Sequence, residues 1–86
     1  MPRVSEFYGL SVYFYFSDHP PPHFHVFYAE SEAQVELETL RIRRGYLPPR
    51  AYGLLAEWAM LHREDLRRAW RQASTPAPID PIEPLP

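Results

Sequence analysis

Leu10-Ser11-Val12-Tyr13-Phe14-Tyr15-Phe16-Ser17 is the stretch whose reading sets the fold. Leu10, Val12, Phe14 and Phe16 fall on one side, and Ser11, Tyr13, Tyr15 and Ser17 on the other. A period of two marks a strand with one buried face. Aromatic and β-branched side chains suit that pleated surface. The Leu10 face is expected to meet a helix. The tyrosine face is expected to be half exposed or to line a groove.

The neighbouring segments extend this strand into a sheet. Before it, Arg3 to Tyr8 reads as a short strand, and Gly9 as a turn or bulge. After it comes Asp18-His19-Pro20-Pro21-Pro22, a loop stiffened by three fixed φ angles. His23 to Ala29 is the next strand, with Phe24, Val26 and Tyr28 on one face and His23, His25, Phe27 and Ala29 on the other. Glu30 to Glu32 is a polar turn. Ala33 to Glu38 alternates again, with Val35 and Leu37 inward. The phase then slips to Leu40 and Ile42, which means a bulge or a new short strand near Thr39. Gly45 closes this part.

Pro48 and Pro49 announce a helix, since proline is tolerated in a first turn. From Arg50 to Ala73 the period is helical. Ala51, Leu54, Leu55, Trp58, Leu61, Leu66, Ala69, Trp70 and Ala73 form one apolar stripe, and His62 falls near its middle. The expected fold is α+β: an antiparallel sheet of about four strands packed by one long C-terminal helix. Residues 1–75 form one domain and residues 76–86 a Pro-rich tail. Ile79, Ile82 and Leu85 recur every three residues, the period of polyproline II. The tail staples back onto the domain or docks on a partner chain, and the staple is favoured.

Composition narrows the classes. The chain has 86 residues, and one this short buries only about 60–65% of its unfolded surface. Aromatics at 15% therefore do much of the core filling. No cysteine is present, which removes disulfides, thiolate metal sites and Cys nucleophiles. No stretch is apolar for long enough to span a membrane, and no secretory leader opens the chain, so a soluble cytoplasmic protein is expected. Arg3 alone stands against six carboxylates in residues 1–40, whereas eight arginines stand against three in residues 41–71. The acidic first half argues against generic coating of nucleic acid.

The sequence resembles the small prokaryotic proteins of domain-of-unknown-function family 4160. Four stretches carry the resemblance: Pro2 to Gly9, Asp18 to His25, Glu57 to Leu66, and Ile82 to Leu85. The Asp18-His19…Pro21-Pro22-His23-Phe24-His25 segment is the specific one. The family pattern has a variable residue after the first His, here Pro20, and usually reads Glu-Leu where this chain has Asp65-Leu66. The resemblance implies no established activity. It does imply a setting similar to toxin–antitoxin gene pairs, with a small protein encoded by a neighbouring gene as partner.

Three of the four histidines, His19, His23 and His25, lie within seven residues. The i, i+2 pair His23/His25 projects from one face of a strand. Two imidazoles that titrate near neutrality can serve as base and acid in cleaving RNA through its own 2′-OH. The leading expectation is a toxin-like, metal-independent endoribonuclease using His23 and His25, supported by His19 and His62. Arg41, Arg43 and Arg44 would neutralise the phosphate. Two other readings stand beside it. One is a non-catalytic binding module, antitoxin-like or regulatory, working through its tail and its Arg-rich helix. The other is a metal site, in which His-x-His joins another His or Asp18. For His62, a core histidine satisfied by hydrogen bonding is the ordinary outcome. Asp18 can equally cap the turn. The sequence specifies no cofactor, and a homodimer fits the thin core.

Overall fold

A computed structural model describes residues 2–86. Five strands precede two helices: β1 (Arg3–Phe7), β2 (Leu10–Tyr13), β3 (His23–Tyr28), β4 (Ser31–Glu36), β5 (Ile42–Gly45), α1 (Pro49–Leu61) and α2 (Arg63–Ala73). The strands form one antiparallel meander in the order β1-β2-β3-β4-β5. The α+β architecture thus stands, with one more strand than expected and a helix interrupted at His62. Among the described residues, no helix is long and apolar enough to cross a membrane.

Local chemistry explains the strand ends. Tyr8 and Gly9 both have positive φ (49° and 84°), the geometry of a two-residue hairpin turn between β1 and β2. The strand expected over Leu10–Ser17 ends earlier, at Tyr13. Phe14 stays extended, with its N–H bonded to the Pro2 carbonyl, and remains buried. Phe16 does not follow the alternation and is 51% exposed. A turn at Phe16–Ser17, with Ser17 at φ 57°, rotates it outward and ties the Ser17 N–H to the Ala73 carbonyl of α2. Near Thr39 the phase slip is a turn over Leu37–Thr39 followed by the new strand β5.

Gly45 is where β5 closes against β4. Its φ is +88°, and a Cβ there would lie 2.1 Å from the Glu32 carbonyl oxygen. That closeness lets the Tyr46 N–H donate to the same oxygen at 2.9 Å.

Both helices cover the sheet face that carries Phe7, Leu10, Val12, Phe24, Val26 and Val35. Trp58 is the centre of this core, with its ring 5.0 Å from Phe7 and 6.4 Å from Phe24. The helix breaks for one residue at His62 (φ −124°, ψ 31°). Its N–H still reaches back to Trp58 and Ala59, and its carbonyl accepts from Leu66, so the break is a kink. Arg63 holds the kink by donating to the Leu37 and Glu38 carbonyls, both at 2.9 Å. Leu61, placed in the apolar stripe by sequence, is 64% exposed. It lies about 100° round the helix from the line through Ala51, Leu55, Trp58 and Leu66.

The tail returns to its own domain. Ile82 and Leu85 are buried, and the Ile82 N–H donates to the Val4 carbonyl at 2.7 Å. The Trp58 indole N–H donates to the Glu83 carbonyl at 2.7 Å. The tail as a free working surface for a partner is therefore corrected: its apolar side already fills the seam beside β1 and α1.

Two outcomes follow for urea melts. Gly45→Ala should lose on the order of 2 kcal/mol or more, from positive φ and backbone overlap. Gly53→Ala, with open space around its Cβ in mid-helix, should gain about 1 kcal/mol. A third concerns Glu38, whose carboxyl is held below the ordinary glutamate range, chiefly by hydrogen bonds from Arg67. A depressed carboxyl contributes stability above its unfolded pKa and loses it as pH falls through the folded one. The melting-temperature gap between wild type and Glu38→Gln should thus be open at neutral pH and close in acid.

Candidate metal centre

The site lies on the sheet face away from the core, at the start of β3. Phe24 and Val26 face the helices, so the pleat turns His23 and His25 the other way. The stiff loop then lays Asp18 across both rings. Its Oδ2 is 3.0 Å from His23 Nε2 and 2.9 Å from His25 Nε2. The His19 backbone N–H donates to its Oδ1 at 3.0 Å. Burial alone would resist ionisation of Asp18. The hydrogen bonds from His25 and the His19 backbone, with the two imidazoles, outweigh it and hold the carboxyl below its ordinary value.

The rings are packed as well as bonded. Tyr15 stacks on His25 with centroids 4.0 Å apart and planes 13° from parallel. Trp70 of α2 lies 5.6 Å from the His23 ring. Both histidines are buried. Burial pushes the Tyr15 hydroxyl up, and the Glu32 carboxylate adds to the shift.

His23 Nδ1 has two neighbours with opposite demands. The Pro21 carbonyl oxygen, 2.9 Å away, can only accept, and the Arg43 guanidinium, 3.1 Å away, can only donate. The carbonyl is fixed in a Pro-rich loop, whereas Arg43 is exposed and has water as an alternative. With the proton on Nε2, His23 donates to the Asp18 carboxylate and its Nδ1 accepts from Arg43. With the proton on Nδ1, it donates to Pro21, and the Nε2 lone pair faces the Asp18 oxygen 3.0 Å away, an arrangement that a cation between the two atoms would stabilise.

The residues expected at the site divide into two groups. His23 and His25 come together with Asp18, and the ligand atoms of these three lie within 4.8 Å of one another. His19 does not join them: its side chain is exposed, and its contribution is the backbone N–H to Asp18. The prolines that fix its distance also aim it outward. His62 sits at the helix kink, 3.2 Å from Asp65 and against Trp58, with no bond to the pair. The expected support of the His23/His25 pair by His19 and His62 is therefore corrected: the pair gathers with Asp18, and neither of the other two imidazoles reaches it.

The three arginines also part. Arg41 is exposed beside Thr39. Arg43 is the extra residue of a bulge, because Gln34 pairs with Arg44 and Val35 with Ile42. A bulge re-aims side chains, and Arg43 reaches His23 while Arg44 lines a neighbouring cavity. That cavity, of about 310 Å³, is bounded by His25, Glu32, Ala33, Gln34, Arg44 and Gly45. Sequence reasoning missed Glu32 and Gln34. Strand parity places Gln34 opposite His25, but only with the register in hand.

A family model described as "Domain of unknown function (DUF4160)" matches residues 9–71, which include the whole triad. Neither the curated proteins nor the solved structures yield a match.

Removing the shared carboxylate leaves two buried imidazoles without their partner. Asp18→Ala should cost about 1–3 kcal/mol in a denaturant melt, whereas His19→Ala should change stability by less than about 0.5 kcal/mol.

Proposed function

This chain belongs to the DUF4160 family, and from that premise we propose that it is a divalent-metal protein whose ion is held by Asp18, His23 and His25. The observation that carries the reading is the convergence of His23 Nε2, His25 Nε2 and Asp18 Oδ2. An ion bonded at about 2.1 Å to each ligand keeps neighbouring ligand atoms roughly 3.0–3.4 Å apart. The Asp18–His distances of 3.0 and 2.9 Å lie at the short end of that range and just below it. With its proton on Nδ1, His23 would donate to the Pro21 carbonyl 2.9 Å away, the outer bond that orients a ligating imidazole and leaves Nε2 free for the metal. Two imidazoles and a carboxylate suit zinc, iron(II) or manganese, and exclude the thiolate-rich sites that select copper(I). Three protein ligands leave at least one position for water or substrate, as catalytic sites do.

The main alternative is the metal-free ribonuclease built on His23 and His25. It needs two imidazoles acting separately as acid and base. Here both Nε2 atoms share one carboxylate oxygen, which couples them into a single unit and favours the metal.

Elemental analysis of untagged protein, with Zn²⁺, Mn²⁺ and Co²⁺ titrations after chelation, should give one ion per chain. His23→Ala, His25→Ala and Asp18→Ala should each lower affinity by at least about tenfold, while His19→Ala and His62→Ala bind as wild type. Free ion at a hundred times Kd should stabilise the fold by about 2.7 kcal/mol. Folded wild type that takes up no stoichiometric ion overturns the reading.

A further inference from the structure

We propose that the cavity beside the triad is a binding site for a guanine base. It goes beyond the metal reading and does not depend on it. Glu32, Gln34 and Arg44 line one cavity on the outer face of the sheet. Among the described residues, none of the three side chains forms an ion pair or a side-chain hydrogen bond, although one is a carboxylate and one a guanidinium. Glu32 can only accept, Arg44 can only donate, and Gln34 does both. A ligand that satisfies them carries acceptors and donors side by side on one rigid frame.

Guanine has that edge. Its O6 and N7 accept from an arginine fork, and its N1–H and 2-amino group donate to a carboxylate. Adenine lacks the paired donors. Uracil flanks its single N–H with two carbonyls, which a carboxylate repels. A volume near 310 Å³ is at the small end of ligand sites. It suits one base with its sugar and is too small for several nucleotides.

One ring, His25, lines the cavity, and Tyr15 stacks on it. An imidazole is a surface on which a base can stack. Gly45, without a side chain, leaves backbone as the wall at one end.

The test is calorimetric titration of the untagged full chain with guanosine, inosine and adenosine, before and after chelator treatment. Inosine keeps the O6/N1 edge but lacks the 2-amino group. Expected is saturable binding in the order guanosine, inosine, adenosine, with guanosine at least about tenfold tighter than adenosine. Glu32→Gln should reduce guanosine to the level of inosine, and Arg44→Ala should weaken both by about tenfold or more. Both side chains are exposed, so unchanged melting curves should accompany these losses. Guanosine monophosphate and a short guanine-rich RNA strand distinguish a free nucleotide from a base presented by RNA. The proposal is overturned if guanosine shows no saturable binding at millimolar concentration, if adenosine binds equally well, or if both variants bind as wild type. Chelation should leave the order intact, so failure of the metal reading and failure of this one are separate results.

Discussion

The two-residue pleat of β2 and β3 is the constraint on which both the fold and the site depend. Leu10, Val12, Phe24 and Val26 are fully buried beneath the helices. Each obliges its chain neighbours to face the other way. Ser11, Tyr13, His23, His25 and Phe27 therefore share the opposite face without any further instruction. A one-residue slip of β3 would put both histidines into the Trp58 core and Phe24 into solvent. The hydrophobic driving force on one face thus fixes the chemistry on the other. The two-residue turns that join β1 to β2 at Tyr8-Gly9 and β3 to β4 at Ala29-Glu30 keep that register.

Asp18 turns two neighbouring imidazoles into a centre. A carboxylate there is unfavourable by burial and favourable by its partners, and the partners prevail. The Pro-rich loop supplies position: the Pro21 carbonyl orients His23 while Asp18 spans both rings. The same loop carries His19 outward. Stiffness thus recruits one residue and dismisses its immediate neighbour.

A short chain has little interior, and its tail completes it. Trp58 packs Phe7 and Phe24 and spends its indole N–H on the Glu83 carbonyl. Ile82 and Leu85 close the seam along β1. An unpaired indole N–H in this core would cost about 1–3 kcal/mol, so the tail contributes polar satisfaction as well as apolar burial. At the other end, the Arg63 and Arg67 contacts with the turn after β4 fix the kinked helix pair to the sheet.

Much of this was legible in the residues themselves. Alternation in Leu10–Phe14 and His23–Tyr28 gave the sheet and its inward face, and the 3.6 period from Ala51 to Ala73 gave the helical layer. The i, i+2 spacing placed His23 and His25 together. Three-residue spacing in the tail gave its apolar side. These are local quantities, set by backbone period and side-chain hydrophobicity within a few residues. Phe16 misled because a turn held by a distant partner, Ala73, changes the phase, whereas Leu61 lies about 100° from the buried line of α1 by helix geometry alone. The union of Asp18 with two imidazoles, the exclusion of His19 and His62, the bulge that aims Arg43, and the cavity joining Glu32, Gln34 and Arg44 were decided by the tertiary structure. Each depends on where separate strands and loops meet, and no period along the chain encodes that distance.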